Sequence, residues 1–109
     1  LIKYLLIIHI NKMKKKFKNL IEVRKIIDQI DRGLVKLIAE REFYVKEALK
    51  FKTSKKQIVD RKRINIVLKR INTLSKKYKV DGLITQRIWK LMIKNFISLE
   101  NKLYKKPKK

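Results

Sequence analysis

Arg41 and Lys52 stand eleven residues apart, in a stretch that otherwise repeats apolar residues at helical spacing. Eleven residues is close to three helical turns, so both long cations share a face and can reach one ligand held between them. Glu100 falls in a row with Ile93, Ile97 and Tyr104, which sets a carboxylate among apolar neighbours. Arg63 shares a face with Val67 and Ile71, one turn after Asp60. Each alone has an ordinary explanation: a cation beside a core stripe snorkels to water, and a Glu pairs with a nearby Lys. Together they place charge on the inward side of every helix. Burying cations without partners is costly. A cavity with several cations and one carboxylate is completed by an anionic ligand that carries more than one carboxylate.

The composition removes most other chemistry. The chain has no Cys, so disulfide scaffolds, thiolate zinc sites and Cys nucleophiles are excluded. Its single histidine, His9, lies near the N-terminal end, away from the charged constellation, and leaves no basis for a His metal site or a Ser-His-Asp triad. Two Gly and one Pro supply neither the turns of a many-stranded sheet nor a glycine-rich phosphate loop. No metal or cofactor is expected. Lys plus Arg number 32 against 9 Asp plus Glu, a formal charge of +23, while 45% hydrophobic residues are too many for a disordered basic tail. Most of the excess is Lys on faces a helix turns to water. It is either solvated surface or a field for an anionic partner: nucleic acid, membrane surface or a small polyanion. A basic helical dimer that binds nucleic acid is one alternative; against it, no recognition motif appears and the Lys are spread along every helix.

These side chains need helices to hold them. From about Phe17 to Phe51 no Pro occurs, and Leu20, Val23, Ile27, Ile30, Leu34 and Leu37 form a seam with 3, 4, 3, 4, 3 spacing. Gly33 costs roughly 1 kcal/mol in a helix interior, too little to break that pattern. One helix of roughly 50 Å is expected. A globule of this length is only about 30 Å across, so a second copy must cover the seam, and an obligate homodimer is expected. FKTSKKQ (51–57) is a polar break. A second helix runs from about Val59 to Tyr78 on the stripe Ile64, Val67, Leu68, Ile71, Leu74, Tyr78. Asp81 is the expected cap of a third, about Leu83 to Tyr104, with Ile84, Ile88, Leu91, Met92, Phe96, Leu99 and Leu103 inside. The fold class is all-α, three helices with a long first one. Residues 1–12 are an apolar run too short to span a bilayer. Met13 and the following KKKFKNLIEV look like an ordinary cytosolic start, so residues 1–17 are an N-terminal extension and 105–109 a basic tail. A cytoplasmic location without membrane contact is expected.

IEVRKIIDQIDRGLVKLIAEREFYVKEALKFK resembles the first helix of the all-helical, type II chorismate mutases. Their pattern of R, ID.ID, R, and K eleven residues later is met by Arg24, Ile27-Asp28, Ile30-Asp31, Arg41 and Lys52. The resemblance continues through VDRKRINIVLKRI to about Leu103 and covers roughly residues 18–104. It implies an intertwined homodimer of three-helix chains with two shared sites. Each site takes Arg41, Lys52, Asp60, Arg63 and Glu100 from one chain and Arg24 from the other. The spacing agrees independently: Arg24 is roughly 25 Å along the helix from Arg41 and about 100° off its face, so it cannot meet Arg41 around one small ligand on the same chain.

The implied reaction is the Claisen rearrangement of chorismate to prephenate, a pericyclic step inside one molecule. It needs no nucleophile, metal or cofactor, only a compact substrate shape and donors where charge develops. The resemblance assigns Arg24 and Arg41 to the two carboxylates and Lys52 to the ether oxygen. Asp60 and Arg63 are assigned to the ring hydroxyl and to supporting the other side chains. Glu100 would face the ether oxygen, where many relatives carry Gln; ionised, it would repel the developing charge, so either burial keeps it protonated or Lys52 holds it away. Phe96, which the resemblance counts with the substrate-binding residues, stands where many mutases have Ser and, with YVKEALKFK, looks more like the isochorismate pyruvate-lyases, which release salicylate and pyruvate. The lyase is the alternative activity.

Overall fold

The computed structural model describes residues 16–106. The apolar run 1–12, the start at Met13 and residues 107–109 of the tail lie outside the described residues. Among these, all regular structure is helical: α1 (Leu20–Leu49), a single 3-10 turn (Lys55–Ile58), α2 (Arg61–Lys77) and α3 (Gly82–Leu103). The chain divides into two compact units, with the boundary between Ile38 and Ala39, inside α1.

The first unit carries the N-terminal turns of α1. Their start is set by a reciprocal cap: the Asn19 side-chain oxygen accepts from the Glu22 N–H at 3.0 Å, and the Glu22 carboxylate accepts from the Lys18 N–H at 3.0 Å. These bonds satisfy donors that the first turn leaves open, so the helix begins at Leu20 rather than at Phe17. No residue of α1 is buried. Leu20, Ile27, Leu34 and Leu37 of the expected seam are all exposed.

In the second unit α1 ends at Leu49, two residues before the expected Phe51. The chain then tightens through three successive bonds of 3-10 type, from Lys50 to Glu47, Phe51 to Ala48 and Lys52 to Leu49, at 3.1–3.2 Å. Lys52 therefore stands past the helix end and not on the helical face of Arg41, but this tightened turn keeps it wound close to the last residues of α1. The polar break contains structure as well: Gln57 accepts from the Thr53 N–H at 2.6 Å, and Ile58 at the end of the 3-10 turn is 3% exposed.

The second helix begins two residues later than expected because Asp60 is its N-cap, its carboxylate accepting from the Arg63 N–H at 3.0 Å. Asp81 caps α3 as expected, accepting from the Leu83 N–H at 2.9 Å. Between them α2 closes with Lys79 in the left-handed region (φ 57°), the Val80 N–H donating to the Ser75 carbonyl and the Lys79 N–H to the Lys76 carbonyl. This is a Schellman closure with Lys where Gly is usual.

α2 and α3 form an antiparallel pair. Near the turn Ser75 Oγ lies 2.6 Å from Thr85 Oγ1 and donates to the Ile71 carbonyl at 2.7 Å; farther along, Gln86 Nε2 donates to the Leu68 carbonyl at 2.9 Å. The buried apolar side chains are Ile58, Ile71 and Phe96. Ile84, Ile88, Leu91 and Leu103, expected inside, are exposed, as are Leu74 and Tyr78 of the α2 stripe. The reason is geometric. Within the unit α3 has α2 and the 3-10 turn against one side, so only the side carrying Phe96 and Glu100 is covered.

Candidate functional site

The covered side of α3 does not close on α2 completely. A pocket of about 390 Å³ lies among the C-terminal turns of α1, the 3-10 turn, α2 and α3. Arg41, Lys52, Asp60, Arg63, Phe96 and Glu100 all line it, with apolar walls that include Ile58, Ile93 and Ile97. Six of the seven residues expected to meet a ligand are thus in one place. The seventh, Arg24, belongs to the other unit, is exposed on α1 and is not among the lining residues.

Local structure places each side chain. Glu100 is four residues after Phe96 on α3, so the two point the same way, and both are buried. Lys52 leaves the turn after α1 and donates to Glu100 Oε2 at 2.6 Å. Of the two ways to accommodate a carboxylate here, the structure shows the ion pair. Asp60 spends one carboxylate oxygen on the Arg63 backbone, which fixes the first turn of α2 and hence the root of the Arg63 side chain.

Arg41 is held differently. Its guanidinium carbon lies 5.2 Å from the centroid of the Phe96 ring, over the face. Burial and, secondarily, the positive charge of Arg63 push its pKa below the ordinary value. It remains a cation at any working pH. Among the described residues the ion pairs are Lys46–Glu42, Lys50–Glu47 and Lys52–Glu100, so neither Arg41 nor Arg63 has a carboxylate partner. Both carboxylates of the pocket are already engaged by protein donors while two guanidiniums remain available. Such a site takes an anion, and bidentate pairing suits a carboxylate.

Two lining residues, Val45 and Ile58, carry no expectation from the sequence. Ile58 sits at the edge of the polar break, and the signal for it is the apolar pair Ile58-Val59 just before Asp60.

Fold and pocket together define a class: an all-helical chain with a pocket, shaped by helix ends, whose unpaired guanidiniums suit a small anion. Residues 23–101 match the family described as chorismate mutase type II, a span that includes all seven candidate residues. A protein of Methanocaldococcus jannaschii named chorismate mutase is 34% identical over 84 residues, which cover 76% of this chain and 85% of that protein. The chain belongs to the chorismate mutase type II family. No described helix is long and apolar enough to cross a membrane.

Proposed function

We propose that this chain is a chorismate mutase that works by electrostatic and conformational preorganisation in the pocket around Arg41 and Glu100. The observation that carries the reading is the pair of guanidiniums, Arg41 and Arg63, left without acidic partners among the described residues beside two carboxylates that are already paired or capping. Chorismate is a dianion whose ether C–O bond breaks as a new C–C bond forms, with no proton or electron supplied from outside. Arg41 binds one carboxylate, and Arg24 of the partner subunit binds the other. Lys52 donates to the ether oxygen as it gains negative charge, which is where a fixed donor is most effective. Glu100 holds the Lys52 ammonium at that place. Asp60 and Arg63 orient the ring hydroxyl. The apolar walls hold the compact conformer, so binding contributes the positioning of the reacting carbons.

The site is shared in this reading, so it requires a homodimer. Support comes from α1, which presents Leu20, Ile27, Leu34 and Leu37 to solvent and has no buried residue. Sedimentation should find a species of twice 13.2 kDa; a single copy at working concentration contradicts the shared site.

The activity is tested by incubating the protein with chorismate and separately with isochorismate, following prephenate, salicylate and pyruvate. Prephenate from chorismate, with kcat/KM lowered at least tenfold in Arg41→Ala, is the expected result. Salicylate and pyruvate alone would assign the lyase reaction instead, the reading that the buried aromatic at Phe96 favours. No product from either substrate removes both.

A further inference from the structure

Arg41 is an unusual cation to keep in place. It is partly buried, it faces the like charge of Arg63, and no carboxylate of the described residues holds it. A carboxylate partner would fix it but would also occupy the planar N–H donors that a ligand carboxylate needs. Phe96 offers attraction without that cost. Its ring lies under the Arg41 guanidinium carbon at 5.2 Å, within the range of a cation–π contact. The ring itself is fixed: Phe96 is 9% exposed and sits on α3 one turn before Glu100. Where a ring rather than a carboxylate holds the guanidinium, no N–H donor is committed to a protein carboxylate and the bidentate edge is left for a ligand.

We infer that Phe96 is a positioning residue for Arg41, holding the guanidinium by its π face so that its N–H donors stay free for a substrate carboxylate. The inference rests on the reading of this pocket as the chorismate site and adds a role that does not require Phe96 to touch the substrate. It explains how a site can hold an unpaired cation before the ligand arrives. An aliphatic residue there would fill the space but offer no quadrupole, and the guanidinium would swing toward water.

The test uses the full-length protein, with Phe96 replaced by pentafluorophenylalanine, which keeps the ring's shape and reverses its quadrupole, and separately Phe96→Leu. Arg41 anchors a carboxylate in both ground and transition states, so KM for chorismate should rise roughly five- to tenfold in both proteins while kcat stays within about twofold. In an Arg41→Ala background, neither replacement should lower kcat/KM further, because the group it acts through is gone. If the pentafluorinated protein has an unchanged KM, or if the losses add in the Arg41→Ala background, the inference is overturned while the enzyme reading stands. If the unmodified protein does not turn over chorismate, both fall.

Discussion

Lys52 and Glu100 are 48 residues apart in sequence, and the ammonium of one lies 2.6 Å from the carboxylate of the other. The pair ties the turn after α1 to the last turn of α3, and it is the one ion pair among the described residues that is not between neighbours on α1 or its end. Its two members have separable duties. In the proposed mechanism Lys52 is the donor for the breaking bond, and Glu100, 6% exposed, has its carboxylate paired by that same ammonium. Lys52→Met should lower kcat roughly 10²–10³-fold, as the loss of one transition-state donor does. It should also cost about 2 kcal/mol of stability, because a buried carboxylate is left unpaired at a site open on one side. Adding Glu100→Gln should restore the urea midpoint but not the rate. A double variant that regains turnover would remove Lys52 from the chemistry.

In the proposed mechanism Asp60 has two jobs that one substitution confounds and two substitutions separate. As N-cap it bonds the Arg63 N–H; in the pocket its other oxygen is free for a hydroxyl. Asp60→Ala should cost about 1 kcal/mol of stability by losing the cap. Asp60→Asn keeps a capping oxygen, so its stability should stay within a few tenths of a kcal/mol. Its kcat/KM should still fall about tenfold, since a neutral amide accepts a weaker hydrogen bond than a carboxylate. Thermal unfolding and chorismate kinetics on both variants check this, and an Asn variant as active as the original confines Asp60 to capping.

The legible parts of this site were the ones that periodicity controls. Ile93, Ile97 and Glu100 share a row because α3 is regular, and the structure puts them on the pocket wall together. Capping chemistry was readable at Asp81. It was equally present at Asn19 and Glu22, an N-x-x-E pattern that marks the start of α1 and sits three residues inside the apparent helix. What periodicity could not give was the state of the chain between helices. Periodicity places Lys52 by continuing a helix whose hydrogen bonding has already tightened and ended at Leu49. Ile58 was hidden because burial of one side chain in a 3-10 turn leaves no repeating pattern. The exposed Ile84, Ile88 and Leu91 read as core because an apolar stripe says that something covers it, not which element does so.

The turn between α2 and α3 shows the same limit and yields a stability prediction. A glycine is available at Gly82, yet Gly82 is the first residue of α3 with no positive φ, and the left-handed position is taken by Lys79 at φ 57°. A side chain there costs about 1 kcal/mol against glycine. Lys79→Gly should raise the stability by about that amount. Gly82→Ala should be tolerated, because an added Cβ would meet only Asn72 Oδ1 at 3.6 Å, an ordinary contact. Denaturant titration of the two variants measures both. A Lys79→Gly protein no more stable than the original would mean that the Lys79 side chain contributes enough to offset its backbone.

Arg41 carries the clearest exchange of stability for function. It is held partly out of water, with Arg63 opposing it, and it makes no ion pair among the described residues. Removing that charge relieves the fold: Arg41→Gln should gain about 0.5 kcal/mol after solvent screening is allowed for. The same change should lower kcat/KM for chorismate by at least tenfold, because a charge-assisted bidentate contact is lost. Ligand should reverse the order of stability. Prephenate at a hundredfold excess over its Kd should stabilise the unaltered protein by about 2.7 kcal/mol, and the gain at the same concentration should be much smaller in Arg41→Gln. Thermal melts of both proteins with and without prephenate make the comparison in one experiment. If Arg41→Gln melts lower than the original without ligand, the guanidinium is being held by more than the Phe96 ring; if prephenate shifts both melts equally, Arg41 does not bind the carboxylate.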